Sequence, residues 1–169
     1  MALQDFWQSV ENWPLSQFIA ESTWAFPTLE TIHVIAIVTV VGSVAIMDLR
    51  LLGLASRKVP VTVVEKDTLR WTWAAFVVAA ISGSLLVMSK APNYVANPFF
   101  RWKLFLIVVA GVNMAIFHLV TWKNVGAWNT SLRVPRGAAL AGGISLGIWV
   151  VVVFLARAIG FTLDKFGPS

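Results

Sequence analysis

The chain has 169 residues, 58% of them hydrophobic and 12% charged, with a mean hydropathy of +0.78. A soluble domain carries about 25% charged residues, so this inventory cannot coat a water-exposed surface and lipid must cover much of the protein. The formal charge of +5 is scattered between apolar runs without a basic stripe, which speaks against a nucleic-acid partner; the lack of cysteine excludes disulfides, thiolate metal sites, iron–sulfur clusters and covalently attached haem.

Residues 1–26 come first. Leu3, Phe6, Trp7, Val10 and Trp13 recur at helical spacing, with Gln4, Asp5, Gln8, Ser9 and Glu11 between them. That pattern predicts an amphipathic helix lying in the membrane interface. Pro14 breaks it, and Leu15 to Glu21 form a second short helical turn. The segment has no basic n-region and no continuous apolar h-region, so it reads as part of the mature protein and not as a signal peptide.

Four apolar spans follow within a single domain, residues 27–163, before a polar tail at 164–169. They run over about 27–54, 71–89, 104–122 and 137–159. Each is close to the ~20 residues needed to cross ~30 Å of hydrocarbon. Helices are expected because lipid offers no partner to free backbone groups. The fold class is therefore all-α, an integral membrane four-helix bundle with an N-terminal interfacial helix.

The loops set the orientation. The connections after spans 1 and 3 hold eight basic residues: Arg50, Arg57, Lys58, Lys66, Arg70, Lys123, Arg133 and Arg136. The opposite side holds five: Lys90, Arg101, Lys103, Arg157 and Lys165. The positive-inside rule then puts both connections in the cytoplasm and both termini outside. Trp24, Trp71, Trp73, Trp102 and Trp122 fall near the expected interfaces. In span 4, Ala139, Gly143 and Gly147 recur at steps of four, and span 2 carries Ala79, Ser82 and Gly83. Such small residues let helices approach closely in lipid, and they would equally leave room for a flat macrocycle.

The stretch "WAFPTLETIHVIAIVTVVGSVAIMDLRLLGL" has two marked ends: Pro27, Glu30 and His33 at its start, and Asp48-Leu49-Arg50-Leu51-Leu52-Gly53 at its close. It resembles the first membrane helix of a group of uncharacterised bacterial four-helix inner-membrane proteins. The resemblance implies a multi-pass protein of the bacterial inner membrane and implies no activity.

Chemistry must come from the intramembrane polar residues, which are costly in lipid and functional by default. The chain has two histidines, and both lie in spans. At 1.5 Å per residue, His33 lies ~10 Å outward of the middle of span 1 and His118 ~8 Å inward of the middle of span 3. One metal or haem cannot be held by both within a subunit. The expectation is therefore haem b near each face, with His33 and His118 as iron ligands, the second ligands coming from a homo-oligomeric neighbour or from methionine. Met88 is level with His33 and Met47 with His118, and His and Met are both axial haem ligands. Glu30 could fix the His33 tautomer, Arg157 could neutralise Glu30 or a propionate, and Arg50 could act likewise near His118. Asp48 shares the face of Met47, and Gly111 makes space beside His118. Electrons would pass to a redox partner or a quinone.

Two other readings stay open. A small transporter or proton-coupled channel would line a path with Glu30, His33, Asp48, Asn113, His118 and Arg157. A non-catalytic scaffold would work through the span-4 stripe and the amphipathic N-terminus. No hydrolase, transferase or phosphate-binding motif occurs, so a redox role would need a bound cofactor.

Overall fold

The computed structural model describes residues 2–131 and 133–166. Two short helices, α1 (Ala2–Glu11) and α2 (Pro14–Glu21), lead into α3 (Ala25–Leu51). Next come α4 (Val61–Met88), a one-turn-and-a-half helix α5 (Ala91–Ala96), α6 (Pro98–Ile116) and α7 (Arg136–Thr162). No strand occurs among the described residues. Four stretches are long and apolar enough to cross a bilayer: Ala25–Leu51, Val61–Met88, Pro98–Ala127 and Arg136–Lys165. The chain is a multi-pass membrane protein built as a four-helix bundle. Its outward faces carry Ile35, Val38, Val77, Val108, Leu119 and Phe154, all exposed, as a lipid-facing surface requires.

Local chemistry sets the element ends. Trp13 is extended, and Pro14 supplies the first helical residue of α2, where its missing N–H costs nothing. The buried Ser16 hydroxyl donates to the Val10 carbonyl at 2.7 Å and ties α2 back to α1. α6 starts six residues before the expected position. Asn97 caps it by accepting the Phe99 N–H at 2.9 Å, with Pro98 next. Its amide also donates to Thr162 Oγ1 at 3.0 Å, which joins α6 to the end of α7.

α4 begins ten residues before the expected Trp71. The reason is a cap supplied from far along the chain. Asn129, in the α6–α7 connection, accepts the Val61 N–H through its carbonyl and the Thr62 N–H through its side chain, each at 3.0 Å. Glu65, Lys66, Asp67 and Arg70 therefore lie on a helix and not in a loop.

These bonds define two ends. The α3–α4 and α6–α7 connections share one, called here the loop end. α1, α2, α5 and the turn after α7 share the other, where Lys90 pairs with Asp164 at 3.0 Å. Of the expected N-terminal stripe, Val10 is buried and Trp7 half-buried, whereas Phe6 and Trp13 face outward. The side chain of Leu3 and residues 167–169 of the expected tail lie outside the described residues.

Within the bundle, α3 packs along both α4 and α7, and α6 packs on α7. α4 and α6 barely approach each other. A central core joins Val40, Ala75, Ala110, Trp149 and Val152, and a second joins Leu51, Val61, Phe117, Trp128 and Ala138 at the loop end. The close α3–α7 contact uses Ala138 and Gly142, not the expected stripe one position away. A Cβ on Gly142 would sit 3.0 Å from Leu51 Cβ and 3.1 Å from the Asp48 carbonyl oxygen, whereas Gly143 and Gly147 face outward, a Cβ meeting Leu52 Cδ2 at an ordinary 3.6 Å at the first and nothing at the second.

Candidate functional site

Because α4 and α6 stay apart, the bundle encloses a cavity of about 390 Å³ in its loop-end half. Ligand sites typically span 300–1,000 Å³. All four long helices line it, and α4 and α6 face each other across it without close backbone contact. Most of the wall is apolar, including Val44, Leu69, Trp73, Phe76, Ile107 and Trp149. The polar groups that reach it come from one residue face of each helix: Ser43 and Asp48 on α3, Glu65, Thr68 and Thr72 on α4, Asn113 and His118 on or after α6, and Ser145 on α7.

His118 sits where α6 changes form. After Ile116 the chain makes a π-helical turn, Phe117–Thr121, then a 3₁₀ turn, Trp122–Ala127. Such π segments recur at functional sites because the extra residue re-aims a side chain. The ring is held by Phe117 edge-on at 5.2 Å and by Trp122 at 5.6 Å between centroids. Nδ1 lies 2.9 Å from the Met114 carbonyl oxygen, which can only accept, so Nδ1 carries the hydrogen. That assignment leaves Nε2 of the neutral ring with a lone pair. Nε2 is buried, has no hydrogen-bond partner, and lies 3.7 Å from Glu65 Oε1.

Asp48 is 4% exposed, and its Oδ2 is likewise buried without a partner. Ser145 on α7 lines the same part of the cavity as Asp48, across the α3–α7 contact. The other hydroxyls are spent locally. Thr68 donates to the Val64 carbonyl at 2.8 Å and Thr72 to the Thr68 carbonyl at 2.9 Å. Ser43 Oγ is 2.8 Å from the Thr39 carbonyl and 2.7 Å from Thr72 Oγ1. Asn113 donates to the Ala141 carbonyl at 3.0 Å.

His33 has a different setting. It lies between α3 and α4 near the opposite end, half-buried, with Nδ1 3.0 Å from Ser82 Oγ. Ser82 gives its own hydrogen to the Val78 carbonyl at 2.7 Å, so the imidazole donates. The ring presses on α4 where Gly83 leaves a gap. A Cβ there would stand 2.8 Å from His33 Cε1. Glu65 and Ser82 are seventeen residues apart on one helix, so the two histidines mark sites ~25 Å apart along α4.

The remaining expected residues divide between the cavity and other duties. Met47 and Gly111 line the cavity with His118, and no atom lies within 4 Å of a Cβ placed on Gly111. Met88 is half-buried near the far end of α4 and does not line it. Glu30 is not the partner of His33, whose N–H goes to Ser82. It lies instead near Tyr94 on α5, whose phenol is held above its usual pKa by burial first and then by the carboxylates of Glu30 and Asp164. Arg50 does not serve His118. It is 1% exposed, and its Nε donates to the Val59 carbonyl at 3.0 Å, clamping the α3–α4 loop. Arg157 lies over the Phe161 ring at 4.3 Å, and no ion pair with Glu30 forms.

Sequence reasoning passed over Glu65, Thr68, Thr72 and Ser145. A signal existed: Glu65, Thr68, Thr72 and Phe76 follow helical spacing on one face. It was masked by reading the charged residues before Trp71 as a loop. No group of three or more His, Asp or Glu side chains placed to hold a bare metal ion occurs among the described residues. The polar groups also fall into two sets. Ala36, Val40, Ala75 and Ala79, all buried, separate His33 and Ser82 from Ser43 and Thr72 along the α3–α4 seam.

No curated protein and no solved structure matches the chain. A family model described as a family of unknown function (DUF6644) matches residues 22–162, which takes in all four long helices and every cavity residue. The chain belongs to that family.

Proposed function

We propose that this protein is a redox subunit of the bacterial inner membrane and that its loop-end cavity binds a lipid-soluble ring ligand of the quinone class, anchored at His118. One observation carries this reading. An apolar, aromatic-walled cavity between the four long helices ends at two buried polar atoms without partners, His118 Nε2 and Asp48 Oδ2. Buried polar atoms are costly when unpaired, so a ligand that pairs them gains what the empty site lacks. A ring with oxygen substituents fits this division of wall and floor, and it would enter from the bilayer between α4 and α6. The positive-inside count puts the loop end at the cytoplasmic face, with α1 and α2 in the opposite interface.

Haem b, the cofactor expected from the histidines, is a second reading, and its site narrows to His118. An imidazole that donates its Nδ1 hydrogen to a main-chain carbonyl and turns Nε2 inward has the arrangement of a metal-ligating histidine. Met47 and Met114 are then the methionines within the same cavity, Glu65 must swing away from Nε2, and a second copy of the chain would supply a further ligand. His33 favours neither reading, since its ring is committed to Ser82 and Gly83. The apolar layer between the two polar sets gives a transport path little support.

One preparation distinguishes the readings. Protein taken into nanodiscs without stripping its lipid is extracted with organic solvent, and its absorption spectrum is recorded before and after dithionite. The proposal expects about one quinone per chain in the extract, lost in His118→Phe. A Soret band that shifts on reduction selects haem instead. A colourless preparation from haem-replete cells, without quinone and without a response to added short-tailed quinone or quinol, rejects both.

A further inference from the structure

The hydrogen-bond inventory at the cavity's polar floor is one-sided. Resting on the ring-ligand reading, we infer that this site selects the reduced, hydroxyl-bearing form of its ligand, a hydroquinone, over the oxidised quinone. Most donors around His118 are already engaged, while the Ser145 hydroxyl and the indole N–H groups of Trp73 and Trp149, which line the cavity, form no hydrogen bond among the described residues. The hydroxyl hydrogens of Thr68 and Thr72 go to main-chain carbonyls, and Ser43 has its partners on α3 and in Thr72. The Nδ1 hydrogen of His118 goes to Met114, and one amide hydrogen of Asn113 goes to Ala141. What is left over at the floor is chiefly acceptors: His118 Nε2, Asp48 Oδ2 and the Glu65 carboxylate.

With Nδ1 of His118 donating to the Met114 carbonyl, Nε2 of the imidazole offers a lone pair, and a quinone carbonyl brings an acceptor to that acceptor. It would leave the buried orphans unpaired and add its own. A hydroquinone of nearly the same shape brings two O–H donors. One suits His118 Nε2, and the other suits a carboxylate. Sites built to hydrogen-bond one ligand reject the analogue that leaves their buried polar groups unpaired far more strongly than they reject a change of shape. The ring's apolar substituent would then point between α4 and α6 toward lipid.

Three probes of one skeleton test this: a short-tailed benzohydroquinone kept reduced under anaerobic conditions, its quinone, and its dimethyl ether. Each is titrated against the protein in nanodiscs while the unfolding temperature is read, since a ligand that binds the folded state raises it by mass action. The hydroquinone is expected to give a set rise at a concentration at least about tenfold lower than the quinone or the ether. Asp48→Asn exchanges an acceptor for a group that can donate, and it should narrow that preference. Equal concentrations for hydroquinone and ether, or tighter quinone binding, overturn the inference while leaving the ring-ligand reading standing. No rise with any of the three overturns both.

Discussion

The chain places two histidines inside one membrane bundle and uses them in opposite ways. At the α5 end, His33 fills a notch made by Gly83 and gives its Nδ1 hydrogen to Ser82, and its other nitrogen is not among the buried, unpaired atoms. At the loop end, His118 is fixed by a main-chain carbonyl and by two aromatic rings, yet its other nitrogen has no partner beside a cavity. Lipid makes an idle polar ring costly in both places. The comparison teaches that cost alone does not identify a site. A histidine can meet it through helix packing, and the informative one is the ring the fold holds rigid and leaves half-satisfied.

Substitutions can break or sharpen that contrast. The largest stability effect is expected from Gly142→Ala, which sets a methyl group against the Leu51 Cβ and the Asp48 main-chain oxygen, neither of which can rotate away. A cost of about 1–3 kcal/mol follows, read by reversible unfolding in mixed micelles. Gly83→Ala should cost less, about 1–2 kcal/mol, because the His33 ring can turn aside at the loss of its Ser82 bond. Adding His33→Ala should relieve part of that cost, and strict additivity of the two would show that ring and notch do not touch. Smaller still for folding is His118→Phe, which enlarges the ring modestly and gives up the Met114 bond but keeps the aromatic neighbours, and should change stability by less than about 1.5 kcal/mol. Gly111→Ala meets no atom and should be neutral or gain up to about 1 kcal/mol from helix propensity, while narrowing the cavity.

Much of the architecture is legible in the sequence. Hydropathy and length identify four spans, and helical rise alone separates His33 from His118. The boundaries failed where a remote residue decides them. Asn129 caps α4 from the α6–α7 connection, and nothing near Val61 announces it. Charges before Trp71 look like a loop until that cap places them on a helix, which hides Glu65 as a cavity residue. Spacing alone cannot tell Gly142 from Gly143, so the expected small-residue stripe falls one position from the contact the structure makes. The cavity itself could not be read, because it arises from a contact that α4 and α6 do not make. Which ring nitrogen is free was also illegible, since a main-chain carbonyl and a distant serine hydroxyl decide it.

The contrast between the histidines is tested most directly by His118→Phe and His33→Phe side by side, each titrated in nanodiscs with the short-tailed hydroquinone. The account predicts that His118→Phe raises the concentration needed for a set stabilisation at least about tenfold. His33→Phe, though less stable, should bind as the parent does. Loss of binding in His33→Phe with His118→Phe unaffected would contradict it, and so would unchanged binding in both.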